Sequence, residues 1–395
     1  MNTVSARHGR ILTLGASHAA TDFYQGSVAV LVPVLVLQAD FTALQATTVV
    51  LAATVGSALA QPLFGALADR FQTFWLLPVS MLLAGTGIGV LGIVGSFGWT
   101  LAAAAGSGLG VAAYHPAAAR LARQAGGGTA KSMSWFIAGG NIGLALAPAV
   151  AAPILVTFGP YGSPLLALPG VLGGLALVAA RRWLLACSPG GTRKRHQAAA
   201  TDDWRSFGLL AAVAILRSGA YFGISTIVGL LVVDELGGGT ALAATLLGIF
   251  LGIGVVATLA GGVLADRWRR VDCMRLGFAI TVPGLLITAL APNVATAAAG
   301  VVVAGIGVFL PFSVQTTLGH EYLPHHIGTA SGVTIGLSVS AGGALAPLLG
   351  LITESHGPRS ALLVLTTLPT AALLLSMRLG ERDGIAQARA AAPPR

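Results

Sequence analysis

Charged residues are scarce in this sequence. They make up 9% of its 395 residues, whereas 55% of the residues are hydrophobic. A soluble domain carries roughly 25% charged residues, so water is excluded as the solvent for most of this surface. In lipid, each helical span takes about 20 apolar residues. The sequence therefore predicts an integral membrane protein with no room for a sizeable soluble domain.

Cysteine and catalytic motifs are scarce as well. Cys187 and Cys273 are the only cysteines, which excludes a disulfide framework or a cysteine-based zinc site. We find no Ser–His–Asp spacing, no dinucleotide fingerprint and no P-loop lysine, and therefore expect neither an enzyme nor ATP drive within this chain. We expect no cofactor and no bound metal. An ion gradient remains as the energy source, and protons are the natural ion.

Long apolar runs account for most of the chain. They predict an all-α membrane protein of twelve transmembrane helices in two pseudo-symmetric six-helix bundles. We expect bundles at 1–183 and 207–395, joined by a cytoplasmic linker at 184–206. The predicted spans are 11–37, 45–67, 74–95, 99–120, 131–157, 164–182, 207–233, 241–264, 274–291, 294–317, 328–352 and 360–378.

The distribution of positive charge predicts the orientation. With the N-terminus in the cytoplasm, all but two of the 22 Lys and Arg residues fall at the cytoplasmic side; Arg359 lies outside and Arg217 within a span. Cytoplasmic loops of membrane proteins are enriched in these residues. We therefore expect an inner-membrane protein with both termini in the cytoplasm. The net charge of +9 then reflects topology, and no nucleic-acid partner is expected.

An internal repeat divides the chain. The Gly-x-x-x-Asp-Arg segment at 65–70 recurs at 262–267, and Gly-x-Gly-Val at 108–111 recurs at 305–308, both 197 positions later. Because each copy holds six spans, an even number, the copies lie parallel and are related by an axis along the membrane normal. Parallel repeats of this kind form the two halves of major facilitator transporters.

Several motifs support that assignment. The two Gly-x-x-x-Asp-Arg segments resemble the loop signature of the major facilitator superfamily. Three more resemble the fosmidomycin-resistance family of drug exporters: Ser-His-Ala-Ala-Thr-Asp at 17–22, Gly-Val-Ala-Ala-Tyr-His-Pro at 110–116 and Gly-Gly-Asn-Ile-Gly at 139–143. The resemblance covers nearly the whole chain. It implies a proton-driven antiporter that gives drug efflux and antibiotic resistance.

Asp22 is the leading candidate for proton coupling. It is the one carboxylate deep inside an apolar span, and a charge at that depth costs at least about 2.5–3.5 kcal/mol. His18 lies four residues before it and Gln25 three after, so all three share a helical face. His18 and Asp22 are predicted to share a proton. We also include Gln25 and the adjacent Tyr24 among candidate substrate-binding residues. A structural polar contact is the alternative for Asp22.

Arg217 is the one cation placed inside a span, at a depth similar to that of Asp22. Two hypotheses follow: it pairs with Asp22 in one state and is released in another, or its guanidinium binds an anionic substrate directly. Snorkelling to the interface is the structural alternative. Tyr221, one turn later, and Gln315 in the tenth span are further candidates for substrate binding.

The fourth and fifth spans supply the remaining candidates. Pro116 removes a helical hydrogen bond, and a bend there would present His115 to a substrate cavity. Asn141 is a further candidate cavity residue. Gly139 and Gly143 permit close helix contact, and Pro148 is expected to kink the fifth span for gating.

The repeated loop segments predict a conformational clamp on the cytoplasmic side. Each Asp is expected to accept hydrogen bonds from a helix N-terminus in one state and to release it in the other. A pair of charges that only sets topology is the alternative. The residues concerned are Gly65, Asp69, Arg70, Gly262, Asp266 and Arg267.

These observations predict a proton-coupled antiporter that exports small drug-like or anionic metabolite substrates by alternating access. A proton-coupled importer or uniporter of a small polar metabolite is the first alternative. A membrane sensor or scaffold that transports nothing is the second. The expected partners are protons, a small-molecule substrate and the lipid bilayer, and the protein is expected to act as a monomer.

Overall fold

The computed structural model describes residues 3–38, 41–71, 74–186 and 201–381. Within these ranges the regular secondary structure is helical throughout, with no strand. Cys187 and the basic run at 193–196 of the predicted linker lie outside the described residues.

The first repeat forms six α-helices in the order of the predicted spans. A 3₁₀ helix at Gly159–Ala167 precedes the sixth. The helices are α1 (Thr3–Gln38), α2 (Ala43–Arg70), α3 (Leu76–Leu91), α4 (Phe97–Ala125), α5 (Ala130–Phe158) and α6 (Leu168–Leu185).

The second repeat follows the same order in more pieces. Two π-helical segments, Leu231–Glu235 and Gly332–Leu337, continue its first and fifth spans. The α-helices are α7 (Trp204–Leu230), α8 (Thr240–Arg267), α9 (Arg270–Ala289), α10 (Val294–Phe309), α11 (Phe312–Tyr322), α12 (Ile327–Ser331), α13 (Ser338–Gly343), α14 (Ala346–Leu365) and α15 (Thr367–Ser376).

Among the described residues, seven helical stretches are long and apolar enough to cross a membrane. Two of them, Ala130–Leu185 with 56 residues and Ile327–Ser376 with 50, each contain two predicted spans, because one crossing needs about 20 residues. Gly357, with φ of 82°, divides the second stretch inside α14. Only glycine readily adopts this backbone conformation, so the chain turns there between the eleventh and twelfth spans.

Two spans differ from the unbroken helices predicted for them. The tenth is interrupted between α10 and α11 at Pro311, which has no N–H to donate. It then continues to Tyr322, beyond the predicted end at 317. The eleventh contains the π-helical turn at Gly332–Leu337. Such turns are rare in proteins, and those that occur often lie at functional sites.

Contacts among the described residues divide the chain into two compact units. Unit 1 takes the described residues up to Gly128, those from Trp135 to Ala186, and His325–Leu337. Unit 2 takes Thr129–Ser134, Thr201–Pro324 and the described residues from Ser338 onwards. Each unit therefore includes one short segment from the other half of the sequence.

Small residues bring the helices of unit 1 into backbone contact. Gly139 and Gly143 of α5 face the backbone of Gly15 and Ala19 in α1 so closely that a Cβ on either glycine would collide with it. Helices in lipid gain no hydrophobic attraction from one another and pack through such close contacts. The two glycines predicted to act in gating therefore form a tight α1–α5 seam in this structure.

Aromatic rings fill much of the core of unit 2. Tyr221 of α7 stacks on Phe250 of α8, with ring centroids 5.8 Å apart, and meets Phe309 of α10 edge-on at 5.5 Å. Gly254 lies against the Phe309 ring, and a Cβ there would meet it at 2.6 Å. This cluster holds α7, α8 and α10 together.

The α1–α5 seam generates a stability prediction. Gly143→Ala places a methyl group against the Ala19 backbone, and overpacking of this kind costs about 1–3 kcal/mol. Gly248→Ala in α8 is the matched control, because a Cβ there meets no atom of the described residues within 4 Å. Alanine also favours a helix over glycine by about 1 kcal/mol. We expect Gly143→Ala to lower the midpoint of thermal unfolding in detergent and Gly248→Ala to leave it unchanged or raise it. Equal midpoints in the two variants would contradict the seam.

Candidate functional site

Three titratable side chains meet in unit 1. The Asp22 carboxylate of α1 lies with Oδ2 3.3 Å from His18 Nε2 and with Oδ1 2.8 Å from His115 Nε2 of α4. The side chain of Asp22 is 17% exposed, and those of His18 and His115 are 2% and 4% exposed. The predicted neighbourhood of His18 and Asp22 is present, and His115, expected at a substrate cavity, joins the same cluster.

The orientation of His18 determines where the cluster can bind a proton. Its Nδ1 lies 2.8 Å from the carbonyl oxygen of Phe136, and its ring stacks on the Phe136 ring with centroids 4.3 Å apart. A carbonyl oxygen only accepts hydrogen bonds, so Nδ1 carries a hydrogen. In neutral imidazole Nε2 is then a lone-pair acceptor, and it faces the carboxylate oxygen. The contact is attractive only when a proton lies on His18 Nε2 or on Asp22 Oδ2.

His115 extends this proton-binding group. Its Nε2 donates to Asp22 Oδ1, and its buried Nδ1 has no hydrogen-bond partner among the described residues. A neutral His115 satisfies the bond to Asp22 and leaves the Nδ1 lone pair free. The cluster therefore has two imidazoles around one carboxylate and can carry more than one protonation state.

A second set of hydrogen bonds fixes α1 against α4 beside the cluster. Ser17 Oγ lies 2.5 Å from the hydroxyl of Tyr114, and this hydroxyl lies 3.3 Å from the Leu14 carbonyl oxygen. Tyr114 directly precedes His115, so its bonds to α1 hold His115 toward Asp22. We did not predict this role, although Ser17 and Tyr114 lie within the motifs at 17–22 and 110–116.

Gly140 of α5 closes the other side of the cluster. A Cβ at this position would overlap Asp22 Oδ2 and lie 2.7 Å from His18 Nε2. Only glycine leaves room for the His18–Asp22 pair against the helix, because the backbone of α5 is held against α1 by the adjacent seam. Gly140 belongs to the motif at 139–143 but was not among the predicted site residues.

The other candidates of unit 1 lie outside the cluster. Tyr24 is fully buried. Its hydroxyl donates to the Ala167 carbonyl oxygen at 3.2 Å and accepts from the Gly170 N–H, so it ties α1 to α6.

Gln25 lines a small recess with Ser57 of α2 and Ser107 of α4. Asn141 is half-buried in α5. Two predicted prolines lie inside helices that continue past them, Pro116 in α4 and Pro148 in α5.

Arg217 occupies a buried polar site in unit 2. It is 3% exposed, its Nε donates to Gln315 Oε1 at 2.9 Å, and its Nη2 donates to Ser218 Oγ at 3.0 Å. The guanidinium carbon lies 4.2 Å from the centre of the Phe312 ring. No carboxylate among the described residues of unit 2 lies within ion-pair distance of it.

This site is suited to an anion. A buried cation is costly unless an opposite charge compensates it, and neutral Gln315 and Ser218 supply none. The Nε2 amide of Gln315 is buried and has no hydrogen-bond partner in the described part of the chain. Two predicted residues, Arg217 and Gln315, therefore form one site with a planar cationic donor and an adjacent free N–H donor. Pairing of Arg217 with Asp22 stays a prediction.

The repeated loop segments lie against helix N-termini, within one unit each. In unit 1, Asp69 accepts from the backbone N–H groups of Gly328 and Thr329 at 2.6 and 2.9 Å, and Gly65 packs on the Gly328 backbone. These bonds are of the kind predicted for the clamp. Arg70 is exposed.

Asp266 makes the corresponding contact in unit 2. It accepts from the N–H groups of Ala130 and Lys131, both at 2.9 Å, at the start of α5. Gly262 lies against Ala130 and Ser134. Arg267 is exposed. That the two carboxylates release these bonds during transport stays a prediction.

A buried ion pair in unit 2 was not predicted from the sequence. Arg270 at the start of α9 pairs with Glu321 near the end of α11, and both side chains are 5% exposed. The sequence held a signal for it, since Arg270 closes the second loop segment and Glu321 stands in an isolated polar stretch. Their proximity depends on α11 continuing past the predicted end of its span.

Comparison with known proteins identifies the family. The model of the Major Facilitator Superfamily matches residues 14–347. The chain belongs to the major facilitator superfamily. It is accordingly a multi-pass membrane transporter and not an enzyme, and the predicted twelve-helix fold is confirmed.

Two relatives align over nearly the full length. The fosmidomycin resistance protein of Escherichia coli (strain K12) is 30% identical over 363 residues, which cover 89% of each chain. The MFS-type transporter YfnC of Bacillus subtilis (strain 168) is 26% identical over 381 residues, 92% of this chain and 91% of the relative. The resemblance to the fosmidomycin-resistance family is thereby confirmed.

Solved structures share the fold at lower identity. The transporter FucP in its outward conformation superposes with a TM-score of 0.74 at 12% identity, over 93% of this chain and 99% of FucP. The human organic anion transporter MFSD10 superposes with a TM-score of 0.69 at 14% identity, over 95% and 100% of the two chains. At these identities the likeness concerns the fold alone.

The geometry of Gly140 generates a double-mutant test. We expect Gly140→Ala to lower the thermal unfolding midpoint, because its methyl group overlaps Asp22 and His18. The loss should shrink when Asp22→Ala is combined with it, since the truncated side chain removes part of the overlap. Residues in contact typically couple by about 0.5–3 kcal/mol in such a cycle.

Gly139→Ala is the matched control, because its Cβ meets the backbone of Gly15 and not Asp22. Gly139→Ala and Asp22→Ala should add to within about 0.5 kcal/mol. If the destabilising effects of Gly140→Ala and Asp22→Ala are also additive, the contact between position 140 and Asp22 is disproved.

Proposed function

We propose that this chain is a proton-coupled antiporter of the inner membrane that exports small drug-like or anionic metabolite substrates by alternating access. Its termini lie in the cytoplasm, as the asymmetry of Lys and Arg predicts. One observation carries the proposal: in the cluster of His18, Asp22 and His115 an acceptor nitrogen of His18 faces a carboxylate oxygen of Asp22 at 3.3 Å, a contact that a bound proton would make attractive. The name of the Escherichia coli relative, which refers to fosmidomycin resistance, supports the outward direction.

Coupling follows from the opposed lone pairs of the cluster. When the cluster holds a proton, His18 Nε2 and Asp22 Oδ2 attract each other, and α1 is held against α4 and α5. Without the proton the two atoms repel across 3.3 Å, in a buried site where electrostatic interactions are strong. Asp22 must then turn away or take up a new partner. Proton occupancy thus biases the packing of α1, and a proton can drive a change of state.

Substrate binding is assigned to Arg217 and Gln315. The guanidinium offers a planar fork of donors that matches a carboxylate or a phosphonate, and the free Gln315 N–H adds a further donor. Because binding of an anion would satisfy both groups, substrate and site stabilise each other. The Asp69 and Asp266 contacts supply the two-state element that such a cycle needs.

The coupling proposal is tested in proteoliposomes with fosmidomycin as the transported probe. Antiport predicts accumulation into an acidic lumen, because protons leaving the vesicle drive the probe inward. We expect Asp22→Asn to abolish this response, while exchange of labelled for unlabelled probe without a gradient persists. His115→Gln should weaken the response to the gradient.

Asp234→Asn serves as the control, because Asp234 is an exposed carboxylate in the π-helical segment after α7 and its substitution should leave transport unchanged. Wild-type accumulation by Asp22→Asn would overturn the coupling role. Accumulation into an alkaline lumen instead would overturn antiport in favour of symport.

The substrate site gives an independent prediction. Hydrogen bonds to charged groups contribute about 1.5–3 kcal/mol, so Arg217→Ala should weaken fosmidomycin binding by roughly 10- to 100-fold. Gln315→Leu should have a smaller effect of the same sign. Equilibrium binding to the purified protein measures both variants, with the exposed Arg378→Ala as control. Unchanged affinity in Arg217→Ala would rule out this site.

A further inference from the structure

Unit 2 contains an apolar cavity of about 210 Å³ between α7, α8 and α10. Its walls include Val228, Leu246, Phe250 and Val301, and none of the described residues that line it is charged. Ser225, which supplies the one hydroxyl among the described lining residues, already donates to the Tyr221 carbonyl oxygen at 2.9 Å. The cavity therefore offers little to a polar ligand and favours an apolar one.

The cavity lies along α7 from the Arg217 site. Ile224, which lines it, follows Arg217 by two helical turns, a rise of about 10 Å on the same face. Tyr221 stands between them and stacks on Phe250, which forms part of the cavity wall. The cationic site, the Tyr221 ring and the cavity thus follow one another along one side of the helix.

We propose that this cavity binds the apolar end of an amphipathic organic anion whose acidic head is held by Arg217 and Gln315. The inference rests on the proposed substrate site and adds a second subsite to it. A ring fits the volume, since an apolar cavity of about 150 Å³ suffices to bind benzene. The separation of about 10 Å requires a flexible chain between head and ring.

The size of the gain can be estimated from other hydrophobic pockets. Filling such a pocket by even a small apolar group changes discrimination by about 10- to 200-fold. A ligand that reaches only the cationic site should bind weakly. A ligand that also fills the cavity should bind at least about tenfold more tightly.

The test uses phenylacetate, 4-phenylbutyrate and 6-phenylhexanoate as probes with the full-length protein in nanodiscs. We expect affinity to rise along the series once the phenyl ring reaches the cavity. The neutral amide of 4-phenylbutyrate should bind much more weakly than the acid. Equal affinity along the series, or equal affinity for acid and amide, would overturn the proposal.

A pair of variants on α8 locates the effect. Ala244 lines the cavity and Ala241 does not, although both are exposed positions near the start of the same helix. Ala244→Leu should remove the gain of the longer probes while phenylacetate binding is retained, and Ala241→Leu should leave the series unchanged. Retained phenylacetate binding also shows that Ala244→Leu folds. If the affinity of Ala244→Leu still rises along the probe series as much as that of the unsubstituted protein, the cavity is not the subsite.

This binding experiment separates the two proposals. Probes that bind with the expected length dependence but are not driven by a pH gradient would refute antiport and support the subsite. Gradient-driven transport of fosmidomycin together with no length dependence in binding would refute the subsite and leave antiport standing.

Discussion

The opposed acceptor atoms of His18 and Asp22 impose the constraint on which the packing around them in unit 1 depends. The Phe136 carbonyl oxygen fixes the tautomer of His18, so that an acceptor nitrogen faces an acceptor oxygen at 3.3 Å. In a buried site that arrangement is unfavourable without a proton. The surrounding features all maintain it: Tyr114 holds α1 and α4 together, and Gly140 lets α5 close over the pair.

The two repeats share a scaffold and divide the chemistry between them. At the repeat offset of 197 residues, Asp22 corresponds to Gly219 and Arg217 to Ala20, so each half carries a charge that the other lacks. His115 corresponds to Phe312 by the same offset. His115 contacts the buried acid of its unit, and Phe312 lies under the buried cation of the other. The same position on a symmetric fold thus supports a carboxylate in one unit and a guanidinium in the other.

Much of the site could be predicted from helical periodicity and depth. His18 and Asp22 are four residues apart on one helix, so their contact follows from local geometry. His115 was placed near the end of a shorter fourth span, whereas α4 runs on to Ala125 and carries it inside the helix. Its contact with Asp22 depends on the rotation and separation of two helices. Those are set by contacts between α1 and α4, such as the bonds of Tyr114 to Ser17 and to the Leu14 carbonyl oxygen, and periodicity within one helix contains no information about them.

The sequence by itself determined the twelve spans, the two repeats and the presence of an isolated acid and an isolated base at bilayer depth. These follow from the cost of placing polar groups in lipid, which acts residue by residue along the chain. Only the tertiary structure decided which side chains complete each site: His115 and Gly140 around Asp22, and Gln315 with Phe312 around Arg217. Such partners come from different helices, and their approach is decided by close packing of small residues, where a single methyl group changes which atoms can meet.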